Sequence, residues 1–297
     1  MPMIAFATSL RARALADDWA YHVWLLEQVV RSMLAQTRGD IRVAIGCHDI
    51  PDSPLARDPR VQFLPIDAAL PAKNFDSMVT DKVLKLSAGA RWAGDAGAEY
   101  VIFNDADDHV SNRIGAHLET HRGGNGWYTN TQRFFTYGGQ VMRLHRIASP
   151  SSGPCVIVLT DLLTFTHPPF SGPWADRIIR GGEQNYMTIL ASHQREINVL
   201  AAVGIAYYND YMRELGHPLA PLPFAGNVVI NHGDSMSTSG GANGYQLRSG
   251  LRAARWAVRL LPTMRLATAA IRQEFGLPSA EQIPAPFRRA GGSVFWR

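Results

Sequence analysis

One short stretch, residues 100–111, constrains the fold of this chain more than any other. It reads YVIFNDADDHVS, an apolar run that ends in three carboxylates, Asp105, Asp107 and Asp108. The run of four apolar residues is too short for a helix, so a buried strand is predicted at residues 100–103. The carboxylates then follow the carboxyl end of that strand, where open α/β sheets bind their ligands.

Three carboxylates this close together repel one another unless something neutralises them. Hard divalent cations such as Mg²⁺ and Mn²⁺ take carboxylate oxygens and keep positions for water and substrate phosphates. The D-x-D arrangement therefore indicates a site for Mn²⁺ or Mg²⁺. The alternative is a solvated, aspartate-rich turn, which is common after strands.

In the rest of the chain, segments with the hydrophobic pattern of a strand alternate with segments that have the hydrophobic period of a helix. Strands are predicted at residues 3–8, 41–46, 61–64 and 100–103, and helices at residues 19–36, 77–96 and 110–121. This alternation favours a doubly wound, Rossmann-like α/β sheet with right-handed crossovers. Gly138-Gly139 lies between two strand-like runs, residues 133–137 and 140–147, and predicts a small hairpin insertion. Later strands are expected at residues 155–160 and 228–231.

Charge divides the sequence into two regions. The formal net charge is +4, but nine Arg and only two acidic residues follow position 245, so the first 245 residues are mildly acidic. We therefore expect a main domain at residues 1–240 and a basic, helical C-terminal extension at residues 241–297. Within residues 246–261, four arginines lie beside an apolar stripe. The stripe suits a helix in the headgroup layer of an anionic membrane, or one packed on the main domain.

The location is predicted from what the sequence lacks. It has no signal peptide with basic residues before an apolar run, and no apolar run of the ~20 residues that span a bilayer. A cytoplasmic protein is expected, peripheral to the inner membrane face if the basic segment binds lipid. A nucleic-acid partner is not expected. Cys47 and Cys155 lack the spacing of a metal site and are expected to be small core residues.

Residues 3–235 resemble the GT-A glycosyltransferases, most closely the family 2 type and its rhamnosyltransferase branch. The resemblance rests on Asp81-Lys82 and Lys85, on the strand after them, and on Asp105-Ala106-Asp107-Asp108, which matches the D-x-D-D form of that family. It implies a GT-A type sheet and a metal-dependent transfer of a hexosyl or deoxyhexosyl group. The donor would be a nucleotide diphosphate sugar and the acceptor a saccharide or a lipid-linked molecule.

The resemblance also implies roles for single residues. Asp107 would bind the metal directly, and Asp105 would contact the metal or the ribose. The sequence departs from the family where the first two strands end, because Ala7-Thr8-Ser9-Leu10 replaces a Pro-x-Tyr-Asn-like turn and Cys47-His48-Asp49 replaces Asp-Gly-Ser. Thr8 and Asp49 remain candidates for contact with the base or ribose, and the nucleobase is left open.

Asp81, Lys82 and Lys85 are candidate donor-binding residues, and the two lysines are three positions apart on one predicted helix face. Both are expected to reach an anionic diphosphate as point charges. Solvated lysines on a surface helix are the alternative.

The remaining candidates lie further along the chain. Glu183 opens a predicted helix, at a place where related inverting enzymes keep a carboxylate that deprotonates the acceptor, and Asp176 is the alternative general base. His232 follows the last predicted strand and is either a nitrogen ligand of the metal or a structural histidine. Phe170 and Trp174 offer flat apolar faces to a sugar ring, or else pin their loop to the core.

Three other functions share part of this pattern. A haloacid-dehalogenase-type phosphatase also has Asp-x-Asp after a strand, but usually near the N-terminus and followed by Thr or Val where this chain has His109. A sugar nucleotidyltransferase has a Gly-rich phosphate loop after its first strand, and residues 8–13 contain no Gly. A catalytically inactive nucleotide-sugar-binding protein is opposed only by the intact carboxylates.

Overall fold

A computed structural model describes residues 1–146, 155–163, 208–230 and 261–287. The strands of these ranges are β1 (Met3–Ser9), β2 (Asp40–Cys47), β3 (Val61–Pro65), β4 (Tyr100–Phe103), β5 (Asp108–Val110), β6 (Gly126–Tyr128), β7 (Thr131–Phe135), β8 (Val141–Arg146), β9 (Val156–Leu159), β10 (Ala220–Pro221), β11 (Asn227–Ile230) and β12 (Met264–Leu266). The α-helices are α1 (Trp19–Leu34), α2 (Phe75–Asp95), α3 (Ile114–Thr120), α4 (Tyr208–Glu214) and α5 (Ala269–Glu274).

The larger sheet has seven strands in the order β10-β6-β9-β4-β1-β2-β3. Strands β3, β2, β1 and β4 are parallel, whereas β9 is antiparallel to β4 and to β6. The predicted α/β class with a Rossmann-like mixed sheet is confirmed, because the parallel half has the order 3-2-1-4. Its central strands are sealed from water: Tyr100, Val101 and Ile102 of β4 have no exposed surface.

Helices α1 and α2 begin at polar capping residues. Asp18 Oδ1 accepts a hydrogen bond from the Tyr21 amide at 3.0 Å, and Asn74 caps α2 through the amide of Ser77. Both caps satisfy amide groups that the first helical turn leaves without a partner. Helix α2 then approaches β2 very closely, because a Cβ added to Gly46 would lie 2.6 Å from the Lys85 Cα. Gly46 therefore decides where the lysines of α2 lie.

The smaller sheet has five strands in the order β12-β8-β7-β11-β5. The predicted hairpin is confirmed, since β7 and β8 pair antiparallel on either side of Gly138-Gly139. It belongs to a sheet with its own apolar core, in which Phe135, Met142 and Val228 pack with Phe275 and Leu277. Residues 261–287, within the predicted extension, thus supply a strand and core side chains to this sheet.

The predicted helix at residues 110–121 is wrong at its start. Val110 lies in β5 and pairs with Asn227 of β11, and the helix begins only at Ile114. Pairing with a strand distant in the sequence overrides the local helical pattern.

Two further observations concern the whole described chain. In the described ranges, no helix is both long and apolar enough to cross a bilayer. Cys47 and Cys155 are buried and not disulfide-bonded, as expected for small core residues. Burial raises the pKa of the Cys47 thiol to about 11 and that of Cys155 to about 12.

Candidate functional site

The order of the larger sheet places a crevice beside the carboxylates. Strand β1 has β2 on one side and β4 on the other. The loops that leave β1 and β4 therefore separate at the carboxyl edge, which is the topological switch point where open α/β sheets bind ligands. The segment from Asn104 to Asp107 follows β4 and the residues after Ser9 follow β1, so both segments start at this point of the sheet edge.

The carboxylate turn and α2 are joined by an ion pair between Lys82 Nζ and Asp105 Oδ1. Burial by itself lowers the pKa of the Lys82 ammonium, but the nearby Asp105, Asp107 and Asp108 outweigh burial and raise it. Lys82 therefore keeps its positive charge. The Asp105 side chain is still 34% exposed, so one side of the pair faces solvent.

Asp108 differs from its two neighbours because it is buried. Its Oδ2 accepts a hydrogen bond from Asn227 Nδ2 at 3.3 Å, and its backbone carbonyl accepts one from Asn104 Nδ2 at 2.7 Å. Burial raises the pKa of the Asp108 carboxyl well above its usual value, and the charges of Asp107 and Asp105 raise it further. We conclude that Asp108 fixes the turn, while Asp105 and Asp107 are only half-buried and keep part of their surface in contact with solvent.

Lys85 has a different environment from Lys82. Its side chain is 1% exposed, and its Nζ donates to Asp81 Oδ2 at 2.5 Å and to the Leu10 carbonyl at 2.9 Å. The other oxygen of Asp81 lies 2.6 Å from His48 Nε2. This cluster connects the loops after β1 and β2 to α2. Lys85 is therefore occupied by contacts within the protein, whereas both lysines were expected to contact the diphosphate.

The two nucleoside candidates lie at the ends of β1 and β2. Thr8 is fully buried, and its Oγ1 has no hydrogen-bond partner among the described residues. Asp49 is half-buried, and its Oδ2 accepts a hydrogen bond from the Arg13 amide at 2.9 Å. Asp49 thus holds the loop after β1 against the loop after β2, at the edge of the crevice.

The other end of the carboxylate turn is anchored by His109. Its Nδ1 donates to the Phe275 carbonyl at 2.9 Å, and its Nε2 accepts from the Tyr137 hydroxyl at 2.6 Å. Burial lowers the pKa of His109 to about 4, so the imidazole is neutral at physiological pH. Through His109, strand β5 is connected to the hairpin and to the segment after α5.

This anchor predicts a pH dependence of stability. Because the folded pKa of His109 is below its unfolded value, the unfolded state binds the proton first as pH falls from about 6.5. The free energy of unfolding should therefore lose about 3 kcal/mol between pH 6.5 and 4 through this one group. Chemical denaturation at several pH values, with His109→Gln as the comparison, measures the effect. An identical pH slope in the variant would contradict it.

The residues around the carboxylate turn offer oxygen ligands for a divalent cation. No three His, Cys, Asp or Glu side chains in the described ranges are arranged to enclose a metal ion. Mg²⁺ needs fewer protein ligands, because it is usually held by one or two carboxylates together with water and substrate phosphates. Asp105 and Asp107 fit that requirement. The amide oxygens of Asn104 and Asn227 are also buried without a hydrogen-bond partner among the described residues, and they add acceptor character here.

Several predicted residues lie outside the described ranges: Glu183, Asp176, His232, Phe170, Trp174 and the basic residues before Leu261. Other contributors were missed by the sequence reasoning. No sequence motif includes Asn104, Asn227 or Tyr137. They lie next to the carboxylate turn only because of the tertiary fold. His48 directly follows β2, within the Cys47-His48-Asp49 segment that departs from the family, but its partner Asp81 is distant in the sequence.

No family model and no curated protein matches the chain. Among solved structures, the chain is similar to residues 1–349 of S. aureus TarS in complex with UDP-GlcNAc, with 10% identity and a TM-score of 0.42. The match covers 80% of this chain and 61% of that chain, so this chain spans about three fifths of it.

Proposed function

We propose that this chain is a metal-dependent glycosyltransferase. It would move a hexosyl or deoxyhexosyl group from a nucleotide diphosphate sugar to a saccharide or a lipid-linked acceptor. The observation that carries the proposal is the pairing of Lys82 with Asp105, beside Asp107, at the switch point of the sheet. The ammonium group of Lys82 can bind a diphosphate, and two carboxylates that are partly exposed to solvent can bind the divalent metal ion that accompanies it.

Each group of the crevice has a role in donor binding. Lys82 stays protonated and attracts the diphosphate, while Asp105 and Asp107 would hold Mn²⁺ or Mg²⁺. When bound, the cation supplies positive charge that stabilises the diphosphate as a leaving group. Asp49, half-buried after β2, is the proposed contact for the nucleoside, whereas Thr8 is fully buried near the end of β1 and presents no surface to it.

Transfer also requires a base for the acceptor hydroxyl. In the proposed inverting reaction, the acceptor oxygen attacks the anomeric carbon, the bond to the diphosphate oxygen breaks, and the proton passes to Glu183. The charge of the leaving diphosphate is opposed by Lys82. We propose that one sugar is added per acceptor.

The role of Glu183 gives a second prediction. Glu183→Gln keeps the size of the side chain but cannot accept a proton, so turnover should fall by the ~10² to 10⁴ typical of general-base catalysis. Donor affinity should stay nearly unchanged. Steady-state kinetics of Glu183→Gln and Asp176→Asn, measured side by side, tests the assignment. Full turnover in the first variant and a loss in the second would transfer the role to Asp176.

Product analysis tests the proposed function directly. The protein is incubated with a panel of nucleotide sugars, with Mn²⁺ or with EDTA, and the released products are identified. Free nucleoside diphosphate that requires Mn²⁺ supports glycosyl transfer with water as a slow acceptor. Inorganic phosphate would indicate a phosphatase, and a nucleoside triphosphate formed with added pyrophosphate would indicate a nucleotidyltransferase. Stabilisation by nucleoside diphosphate without any product would favour an inactive binding protein.

A lipid-linked acceptor would bring the enzyme to the cytoplasmic membrane face, and we extend the proposal to residues 246–261. Each arginine near an anionic surface contributes about 1 kcal/mol of attraction. The third prediction is therefore that the protein co-sediments with liposomes that contain anionic lipid at low salt. Replacing Arg248, Arg252, Arg255 and Arg259 with Gln should abolish this binding. Wild-type protein that stays in the supernatant would exclude the membrane contact.

A further inference from the structure

A groove of about 530 Å³ lies between the first half of α1 and the loop after β2. Its lining includes Arg13, Trp19, Trp24, Glu27, Asp49, Ile50 and Asp52. Only Asp49 has a role in the donor site proposed above. The volume is within the range of small-molecule sites, which is roughly 300 to 1,000 Å³.

The aromatic wall of the groove is held in place before any ligand arrives. The Trp24 ring stacks on Tyr21 with centroids 6.0 Å apart, and it meets the edges of Tyr137 at 5.3 Å and the tilted ring of Phe287 at 5.5 Å. Trp19 packs on the main core while part of its surface stays exposed. Rings fixed in this way lose little conformational entropy when a ligand binds.

The charges of the groove select the kind of ligand. Glu27, Asp49 and Asp52 line the groove together with Arg13, and Glu27 is also paired with Arg31 at 3.5 Å, so the charges around the groove remain net negative and disfavour an anionic ligand. Carboxylates accept hydrogen bonds from hydroxyl groups, and tryptophan rings offer flat apolar faces to C–H surfaces. Ile50, 54% exposed, adds an apolar surface. A neutral saccharide has both hydroxyl donors and an apolar ring face, and so it matches this lining.

The aromatic wall also leads to the carboxylate turn. Trp24 contacts the Tyr137 ring, and the Tyr137 hydroxyl donates to His109, the residue after Asp108. These contacts run through the buried His109, and they fix the position of Trp24 relative to the carboxylate turn. We propose that this groove is a binding site for a neutral saccharide, which serves as the acceptor. The acceptor role rests on the proposed function, whereas saccharide binding does not.

The binding claim is tested without any nucleotide sugar. Wild-type protein is applied to an array of neutral and sialylated oligosaccharides, and the strongest neutral binder is titrated by tryptophan fluorescence. Neutral oligosaccharides should bind, with little dependence on salt. Trp19→Ala and Asp52→Asn should each weaken binding about tenfold, the loss expected for one aromatic or polar contact. Asp52 is exposed, so its variant should fold even if Trp19→Ala does not.

A matched control separates the groove from a general effect. Asp40→Asn changes an exposed aspartate outside the groove and should bind like the wild type. Binding of sialylated glycans alone, unchanged affinity in both groove variants, or no binding on the array would each overturn the proposal. Failure of the proposed function is distinguishable, because the wild type would then release no nucleoside diphosphate while still binding saccharide.

Discussion

Asp107→Ala is expected to abolish sugar transfer and the metal-dependent part of nucleotide binding while the fold stays intact. Loss of a ligand removes the several kcal/mol that a metal ion contributes to the transition state, which corresponds to a rate loss of about 10³ or more. The Asp107 side chain is only half-buried, and the buried Asp108 keeps its contacts with Asn227. Removing one of three repelling carboxylates should leave the stability of the metal-free protein level or raise it.

Two measurements check this result. Turnover and nucleotide affinity are compared with Mn²⁺ and with EDTA, and urea denaturation is performed without metal. Asp95→Ala is the matched control, since Asp95 is an exposed aspartate at the end of α2. A fully active Asp107→Ala enzyme that ignores EDTA would end the metal hypothesis.

Asp81→Ala is expected to have the largest effect on stability. It would leave the Lys85 ammonium buried beside the Leu10 carbonyl without its counter-charge. Removing one partner of a buried ion pair typically costs about 3–5 kcal/mol, because a buried charge is left uncompensated. Burial already lowers the pKa of Lys85, and the attraction of Asp81 opposes that shift.

A double-mutant cycle tests this cause. Lys85→Met removes the buried charge, so Asp81→Ala combined with Lys85→Met should recover most of the stability that Asp81→Ala loses. Urea denaturation gives the free energies, provided that the slope with denaturant is unchanged. Asp40→Ala breaks the exposed pair of Asp40 and Arg42 and should cost less than about 1 kcal/mol. Equal losses at positions 81 and 40 would contradict the buried-pair interpretation.

The cluster around Asp81 has a consequence for function. It joins the loops after β1 and β2 to α2, the helix that also presents Lys82 to Asp105. The crevice is therefore fixed from one helix, and a ligand would find its charged groups already oriented. This explains why two lysines three positions apart have separate tasks: Lys85 holds the scaffold and Lys82 faces the carboxylates.

Local sequence was sufficient for those features whose energetics are local. The apolar run at Tyr100–Phe103 is too short for a helix and is buried as a strand. The carboxylates that follow it therefore lie at the edge of the sheet. Gly138-Gly139 specified the hairpin in the same way, because a tight turn depends on the residues within it. The alternation of strands and helices over the first 103 residues predicted the parallel half of the sheet.

Tertiary structure decided what depends on partners distant in the sequence. The spacing of Lys82 and Lys85 places both on one helix face, and only the close approach of Gly46 buries Lys85 while Lys82 reaches Asp105. Val110 became a strand residue because β11 supplies its hydrogen-bond partner. Asp108 became a buried structural acid because Asn227 and its strand cover it. These outcomes come from burial and pairing free energies between distant segments, which no local pattern in the sequence encodes.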